Sequence, residues 1–173
     1  MAVIGLPDEN KTITDEGEVI SFLMDRGISY AFWETKAELK DDDSEATILA
    51  AYEHEVLPYM KENGFKSVDV ISVNAGTENI ELIRQKFLKE HTHSEDEVRF
   101  FVDGEGLFWF NLNGEVFNLL CTKGDFLSVP AGVTHWFDLA PKYTVKAIRI
   151  FTNEHGWVAN YTDSGIDEKY NKV

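Results

Sequence analysis

Two histidines and a glutamate lie close together in the middle of the chain. His91 and His93 are separated by one residue, and Glu97 comes four residues after His93. Side chains two residues apart on an extended strand point to the same face, so these three can converge on one point. Two imidazoles and a carboxylate suit a divalent transition metal. The sequence therefore predicts a metal site, and His135, at the end of the run Gly124–His135, is the candidate fourth ligand.

Each half of this pattern is a weak signal on its own, because short motifs recur by chance. The acidic run from Ser94 to Glu97 could be a solvated turn, and a lone histidine such as His135 is often structural. Two features argue against chance: Gly104 follows Glu97 by seven residues, and His135 ends a Gly-x5-Pro-x-Gly-x2-His block. In this order the two blocks resemble the two motifs of cupin barrels.

The composition favours a folded protein without a polyanionic partner. The chain has 173 residues, of which 43% are hydrophobic, enough to bury the core of a single domain. Its net charge is −15, which argues against a nucleic-acid or anionic-membrane surface. Cys121 is the one cysteine, so no intramolecular disulfide is possible, and no apolar run reaches transmembrane length. We therefore expect a cytoplasmic protein.

The pattern along the chain predicts helices first and strands later. Residues 18–26 and 45–63 have helical spacing, and Pro58 should kink or divide the second helix. From His91 onward short alternating segments are separated by turns, including 103–106 and the hairpin Asn113-Gly114. This order predicts a mainly β fold, a double-stranded β-helix (jelly-roll barrel) with flanking N-terminal helices. We expect one domain over 1–173, with a helical part over about 1–66 and a barrel core over about 67–160.

Arg99 has the same strand parity as Glu97, so it should point into the barrel beside the metal. A buried arginine needs an anionic partner. That partner is either a carboxylate within the barrel or an anionic substrate clamped by the guanidinium. The proximity of the metal favours the second interpretation.

Other side chains are weaker candidates. Arg149 is either a second positive group in the cavity or one half of a salt bridge at the rim. Glu90 and Asp96 each precede a predicted ligand and could orient imidazoles, although a solvated acidic loop explains them nearly as well. Aromatic residues near the site belong to the core by default but could also wall an apolar pocket. They are Phe87, Phe101, Phe110 and Trp157.

Three runs of sequence carry a resemblance to a known family. They are residues 86–108, which contain the first motif, 123–138, which contain the second, and 147–159. They are similar to the core of the acireductone dioxygenases of methionine salvage. The resemblance covers most of residues 18–165.

The resemblance implies one Fe2+ or Ni2+ per chain, a small-molecule substrate and O2. The substrate would be 1,2-dihydroxy-3-keto-5-methylthiopentene. Iron would give formate and 4-methylthio-2-oxobutanoate, and nickel would give formate, carbon monoxide and 3-methylthiopropionate. The family's ligands carry over onto His91, His93, Glu97 and His135, and its arginine that helps form the substrate dianion carries over onto Arg99. Positions matching Glu90 and Asp96 are linked in the family to metal incorporation and conformational change.

Two other functions compete with this interpretation. One is another cupin dioxygenase with three histidines and one glutamate, which acireductone turnover would distinguish. The other is a cupin that only binds a ligand, which predicts missing metal ligands. We expect a monomer.

Overall fold

Strands contain more of the residues than helices do, and a few helices lie around them. The structure is a computed structural model that describes residues 1–171. Its helices are α1 (Glu16–Met24), α2 (Glu45–Asn63), α3 (Ile80–Phe87) and α4 (Ile166–Tyr170). Its strands are β1 (Val3–Leu6), β2 (Lys11–Ile13), β3 (Ser29–Phe32), β4 (Ser67–Val73), β5 (His91–Thr92), β6 (Glu97–Leu112), β7 (Glu115–Thr122), β8 (Asp125–Val129), β9 (His135–Asp138), β10 (Val145–Phe151) and β11 (Asn160–Tyr161).

The strands form two antiparallel sheets that share β6. The first sheet has the order β11-β5-β9-β6-β7-β1-β2, and the second has β4-β10-β6-β8-β3. Large apolar side chains, among them Phe101, Phe110 and Phe117, fill the core. This is the expected jelly roll, and the predicted fold class is confirmed.

β6 corrects the sequence prediction at residues 103–106. We expected a turn there, but one strand of 16 residues continues through it. Its first half pairs with β8 and β10, and its second half pairs with β7 and β9. The β6–β10 register shifts at Val102, between the pairs Asp103–Lys146 and Phe101–Ala147, and this bulge lets the strand pass from one sheet to the other. Gly104, at φ 70°, follows two residues later.

The N-terminal part contributes strands as well as helices. β1 pairs with β7 and β3 pairs with β8, so the expected helical part over about 1–66 is built into both sheets. α2 packs Ile48, Tyr52 and Val56 against the outer face of the second sheet. It runs from Glu45 to Asn63 as one helix, so the predicted division of the helix at Pro58 does not occur.

Within residues 1–171, no helix is long and apolar enough to cross a bilayer.

Candidate metal centre and its cavity

The four predicted ligands come together inside the barrel. His91 lies on β5 beside His135 of β9, its partner in the strand register. His93 follows β5 directly, and Glu97 begins β6. All four side chains are buried, and one ligand atom from each lies within 4.8 Å of the others. The predicted convergence is therefore confirmed.

Backbone carbonyl groups set the orientation of all three imidazoles. The Nδ1 contacts are His91 with Lys89 O at 2.7 Å, His93 with Val158 O at 2.8 Å, and His135 with Val133 O at 2.8 Å. A carbonyl oxygen can only accept, so each Nδ1 carries a proton and donates it. The Nε2 lone pairs are then free to bind a metal.

The donor atoms are spaced as the ligands of one ion. Glu97 Oε2 lies 2.9 Å from Nε2 of His93 and 2.9 Å from Nε2 of His135. With Nδ1 protonated, these atoms are all acceptors, so a proton or a metal cation must lie between them to offset their repulsion. Ligands about 2.1 Å from one ion and at right angles to each other are about 3.0 Å apart. The residues therefore fit a divalent metal ion.

The charge states of the ligands also suit a cation. Burial, helped by the nearby His135, lowers the pKa of His91 to about 4, so this imidazole is neutral at pH 7. Burial raises the pKa of Glu97, but the charges of Arg99 and His135 outweigh it and hold that pKa well below its usual value. Burial lowers the pKa of His93, but the hydrogen bond and charge of Glu97 overcome it and raise the pKa above its ordinary value. The negative charge that favours a proton on His93 also favours a metal cation.

Arg99 is buried beside the ligands with part of its hydrogen-bonding capacity unused. Its Nε lies 2.8 Å from Glu97 Oε1, but the geometry is a charge contact and not a hydrogen bond. Among the described residues, its Nε and Nη1 find no hydrogen-bond acceptor. The guanidinium carbon lies 4.6 Å from the ring centroid of Phe137 and 5.1 Å from that of Phe108. The ion pair with Glu97 matches the structural interpretation, and the free donors match an anion clamp.

The four ligands and Arg99 line a cavity of about 330 Å³. Its other lining residues are Lys86, Phe87, Phe137, Arg149, Trp157, Ala159 and Tyr161. Phe87 and Trp157 therefore lie where the sequence predicted a pocket wall. Phe101 does not line the cavity, nor does Phe110. Both are fully buried in the core, so the proposal that they form the wall is wrong.

Sequence reasoning missed several wall residues. Phe137 has the same parity as His135 on β9, so strand alternation could have identified it. Ala159 and Tyr161 reach the cavity because β11 pairs with β5 at the sheet edge. No pattern in a two-residue strand signals that pairing.

Arg149 combines both of its expected roles. It lines the cavity, and its Nε and Nη2 donate to the two carboxylate oxygens of Asp69 at 2.7 and 2.6 Å. The salt-bridge alternative is thus present in the structure.

Neither Glu90 nor Asp96 hydrogen-bonds to an imidazole, so neither orients a ligand directly. The buried carboxylate of Glu90 accepts hydrogen bonds from Ser164, Thr162 and Asn111. The Asp96 side chain accepts from the backbone N–H of Ala131, and its carbonyl oxygen accepts from Trp157 Nε1 at 3.0 Å. Backbone carbonyls perform the orienting role instead.

A jelly roll with three histidines and one glutamate converging inside it defines a metal-binding protein of the cupin class. Residues 8–159 match the family model described as ARD/ARD' family. The chain belongs to this family, that of the acireductone dioxygenases, and is an enzyme of it.

Individual relatives agree over nearly their whole length. An acireductone dioxygenase from a Picosynechococcus species is 49% identical over 100% of this chain and 99% of its own. One from Alcanivorax borkumensis is 43% identical, covering 93% of this chain and 89% of its own. The solved structure of a Bacillus anthracis acireductone dioxygenase, with a cadmium ion in its active centre, has a TM-score of 0.83 at 35% identity. That match covers 93% of this chain and 98% of the other.

Proposed function

We propose that this enzyme cleaves the acireductone 1,2-dihydroxy-3-keto-5-methylthiopentene with O2, using one Fe2+ or Ni2+ per chain. The names of the relatives supply the substrate class. The observation that carries the proposal is the cavity itself, where four converging ligands lie beside an arginine with free buried donors.

The metal determines the products in this proposal. Iron should give formate and 4-methylthio-2-oxobutanoate, a step of methionine salvage. Nickel should give formate, carbon monoxide and 3-methylthiopropionate. Imidazole suits both ions, so three histidines and one glutamate do not select strongly between them, and cellular supply would decide the occupancy.

The chain's own residues bind and orient the substrate. Bound to the four ligands, the ion supplies positive charge that favours the deprotonated enediol. Three neutral imidazoles leave that charge intact, and Glu97 offsets only part of it. The free N–H groups of Arg99 donate to a negatively charged substrate oxygen, where a planar fork of donors holds an anion well. The rings of Phe87, Phe137 and Trp157 pack on the apolar methylthio end and keep water away.

Metal exchange tests the proposal directly. The protein is stripped of metal, reloaded with Fe2+ or Ni2+ alone, and given acireductone and O2. We expect substrate consumption by both forms and carbon monoxide from the nickel form only. Identical products would refute the metal-dependent branch. Absence of consumption by both forms would refute the function and favour another cupin dioxygenase.

We also propose that the enzyme is a cytoplasmic monomer that needs no macromolecular partner for turnover. Cys121 is fully buried, and burial raises the pKa of its thiol well above its usual value, which keeps it protonated and unreactive. Light scattering on the purified protein would test the monomer.

A further inference from the structure

Charged side chains form a row across three neighbouring strands next to the metal site. Asp69 of β4 is the register partner of Arg149 on β10, and Arg149 is in turn the partner of Arg99 on β6. Register partners on adjacent strands point to the same face, so the two arginines are neighbours on one wall of the cavity. Two adjacent cations give an anionic ligand two places to bind.

The two guanidinium groups differ in how many donors are free. Arg149 gives its Nε and Nη2 to Asp69 in a two-pronged ion pair at 2.7 and 2.6 Å. Arg99 is 4% exposed and has neither Nε nor Nη1 hydrogen-bonded among the described residues. Two donors of Arg149 are therefore satisfied by Asp69, whereas two buried donors of Arg99 lack an acceptor, although its charge lies beside Glu97.

The indole of Trp157 lies beside both arginines. Its ring centroid is 5.6 Å from the guanidinium carbon of Arg149 and 5.5 Å from that of Arg99. The indole N–H donates to the carbonyl oxygen of Asp96, which holds the ring in place. A change in the position of Arg149 would therefore change the environment of the Trp157 indole.

We propose that Asp69 is a positioning residue that masks the charge of Arg149, so that Arg99 alone receives the anionic substrate. This inference rests on the proposed function. Without Asp69, Arg149 becomes a second free cation on the same wall. The substrate anion then binds in a second orientation, away from Arg99, which is not productive.

Asp69→Asn tests the masking because it removes the charge and keeps the shape. Non-productive binding lowers kcat and KM together, so we expect both to fall, roughly tenfold for one charge-assisted hydrogen bond. The double variant Asp69→Asn/Arg149→Met removes the released cation and should recover most of the lost kcat. A purely structural role of Asp69 would leave the double variant no better than the single one.

Glu115→Gln is the matched control. Glu115 forms a similar two-pronged pair with Arg26, at 2.9 and 2.6 Å, outside the cavity lining. We expect the Glu115→Gln variant to have the kcat and KM of the wild type. An equal fall in this control would overturn the specific role of Asp69.

Quenching of tryptophan fluorescence gives a second readout that needs no turnover. Anionic iodide should quench the metal-loaded Asp69→Asn protein more strongly than wild type, because the freed charge of Arg149 lies beside Trp157. Neutral acrylamide should quench both equally. Unchanged iodide quenching, or a KM that rises in Asp69→Asn, would overturn the masking. Either result leaves the proposed function standing as long as the wild-type enzyme consumes acireductone, whereas a wild type without turnover would refute that function on its own.

Discussion

Glu90 accepts a hydrogen bond of 2.6 Å from the hydroxyl of Ser164, across 74 positions of sequence. The same carboxylate accepts from Thr162 and from the amide group of Asn111. Glu90 directly precedes the ligand His91, and Ser164 follows the segment that lines the cavity. One buried side chain thus ties the start of the metal site to the C-terminal part of the chain.

Glu90→Ala should loosen that C-terminal segment. The change leaves partly buried donors without an acceptor, at a cost of roughly 1–3 kcal/mol. We expect faster hydrogen exchange in residues 157–165 and a melting temperature lower by several degrees. Glu154→Ala, a change at an exposed glutamate nearby, is the control. Unaltered exchange in the Glu90 variant would show that the segment is held by other contacts.

Replacing His91, His93, Glu97 or His135 by Ala should remove metal and activity together. Each residue supplies one of the four buried ligand atoms, so each substitution leaves only three protein ligands for the ion. Metal content per chain after purification without chelator is the measurement. His54→Ala, at an exposed histidine on α2, should keep both metal and activity. A fully metallated, active His135→Ala protein would contradict the four-ligand site.

Arg99→Ala should keep the metal and lose turnover, by roughly 100- to 1000-fold, because the guanidinium acts on the charge of the substrate. Arg99→Lys should recover little, since a point charge cannot reproduce a planar fork. The measurements are metal content and kcat on the same preparations. If Arg99→Ala lowered only the melting temperature, with normal turnover at low temperature, the ion pair with Glu97 would be its whole role.

The metal ligands could be predicted from sequence because strand alternation is a local rule. The parity argument holds for His91 and His93, and for Glu97 and Arg99 on β6, while a bend at Ser94 and Glu95 separates the two pairs. His135 was identified by the second block. The confirmed ligands thus follow from spacing within short segments, and the way these segments meet was not part of the pattern.

What could not be predicted depends on pairing between distant segments. A glycine-rich stretch such as 103–106 is typical of a turn, and only the pairing with neighbouring strands such as β10 shows that β6 continues through it, with a bulge at Val102. The backbone carbonyls that orient the imidazoles leave no mark in the sequence, which is why Glu90 and Asp96 were taken for that role. The partnership of Arg149 with Asp69 required knowing that β4 lies beside β10.

The metal-free protein should lose stability as the pH falls from 6.5 to about 4. In that window the unfolded chain protonates the residue at position 91, whose ordinary pKa is 6.5, and the folded chain, with the pKa of His91 near 4, does not. Stability therefore falls with pH by at most about 1.4 kcal/mol per pH unit for this group. Glu97, with its lowered pKa, adds a loss as the pH falls below 4.5.

His93 acts in the opposite direction. Because its pKa is raised, its contribution is present below 6.5 and is lost as the pH rises through the folded value. Urea midpoints of metal-free protein should therefore be highest close to pH 6.5. His91→Gln should flatten the acid side of this curve. If the stability of the His91→Gln variant fell with pH as steeply as that of the wild type on the acid side, other groups would account for the loss.

Gly104→Ala should disrupt the crossing of β6 between the sheets and, with it, the metal site. A Cβ at this position would collide with the carbonyl oxygen of Thr144 and lie 2.9 Å from Cα of Val145, and φ is 70°. Backbone strain and overpacking together cost roughly 2–4 kcal/mol.

Gly114→Ala separates the two effects: φ there is 91°, but nothing lies within 4 Å of the added carbon, so only the strain of about 1 kcal/mol remains. Urea unfolding and metal content of both variants are the measurements. We expect the Gly104 variant to be the less stable and to bind metal more weakly, because moving β6 away from β10 displaces Glu97 at the start of the same strand. Equal stability and metal content in the two variants would show that the close approach to Thr144 does not hold the strand in place.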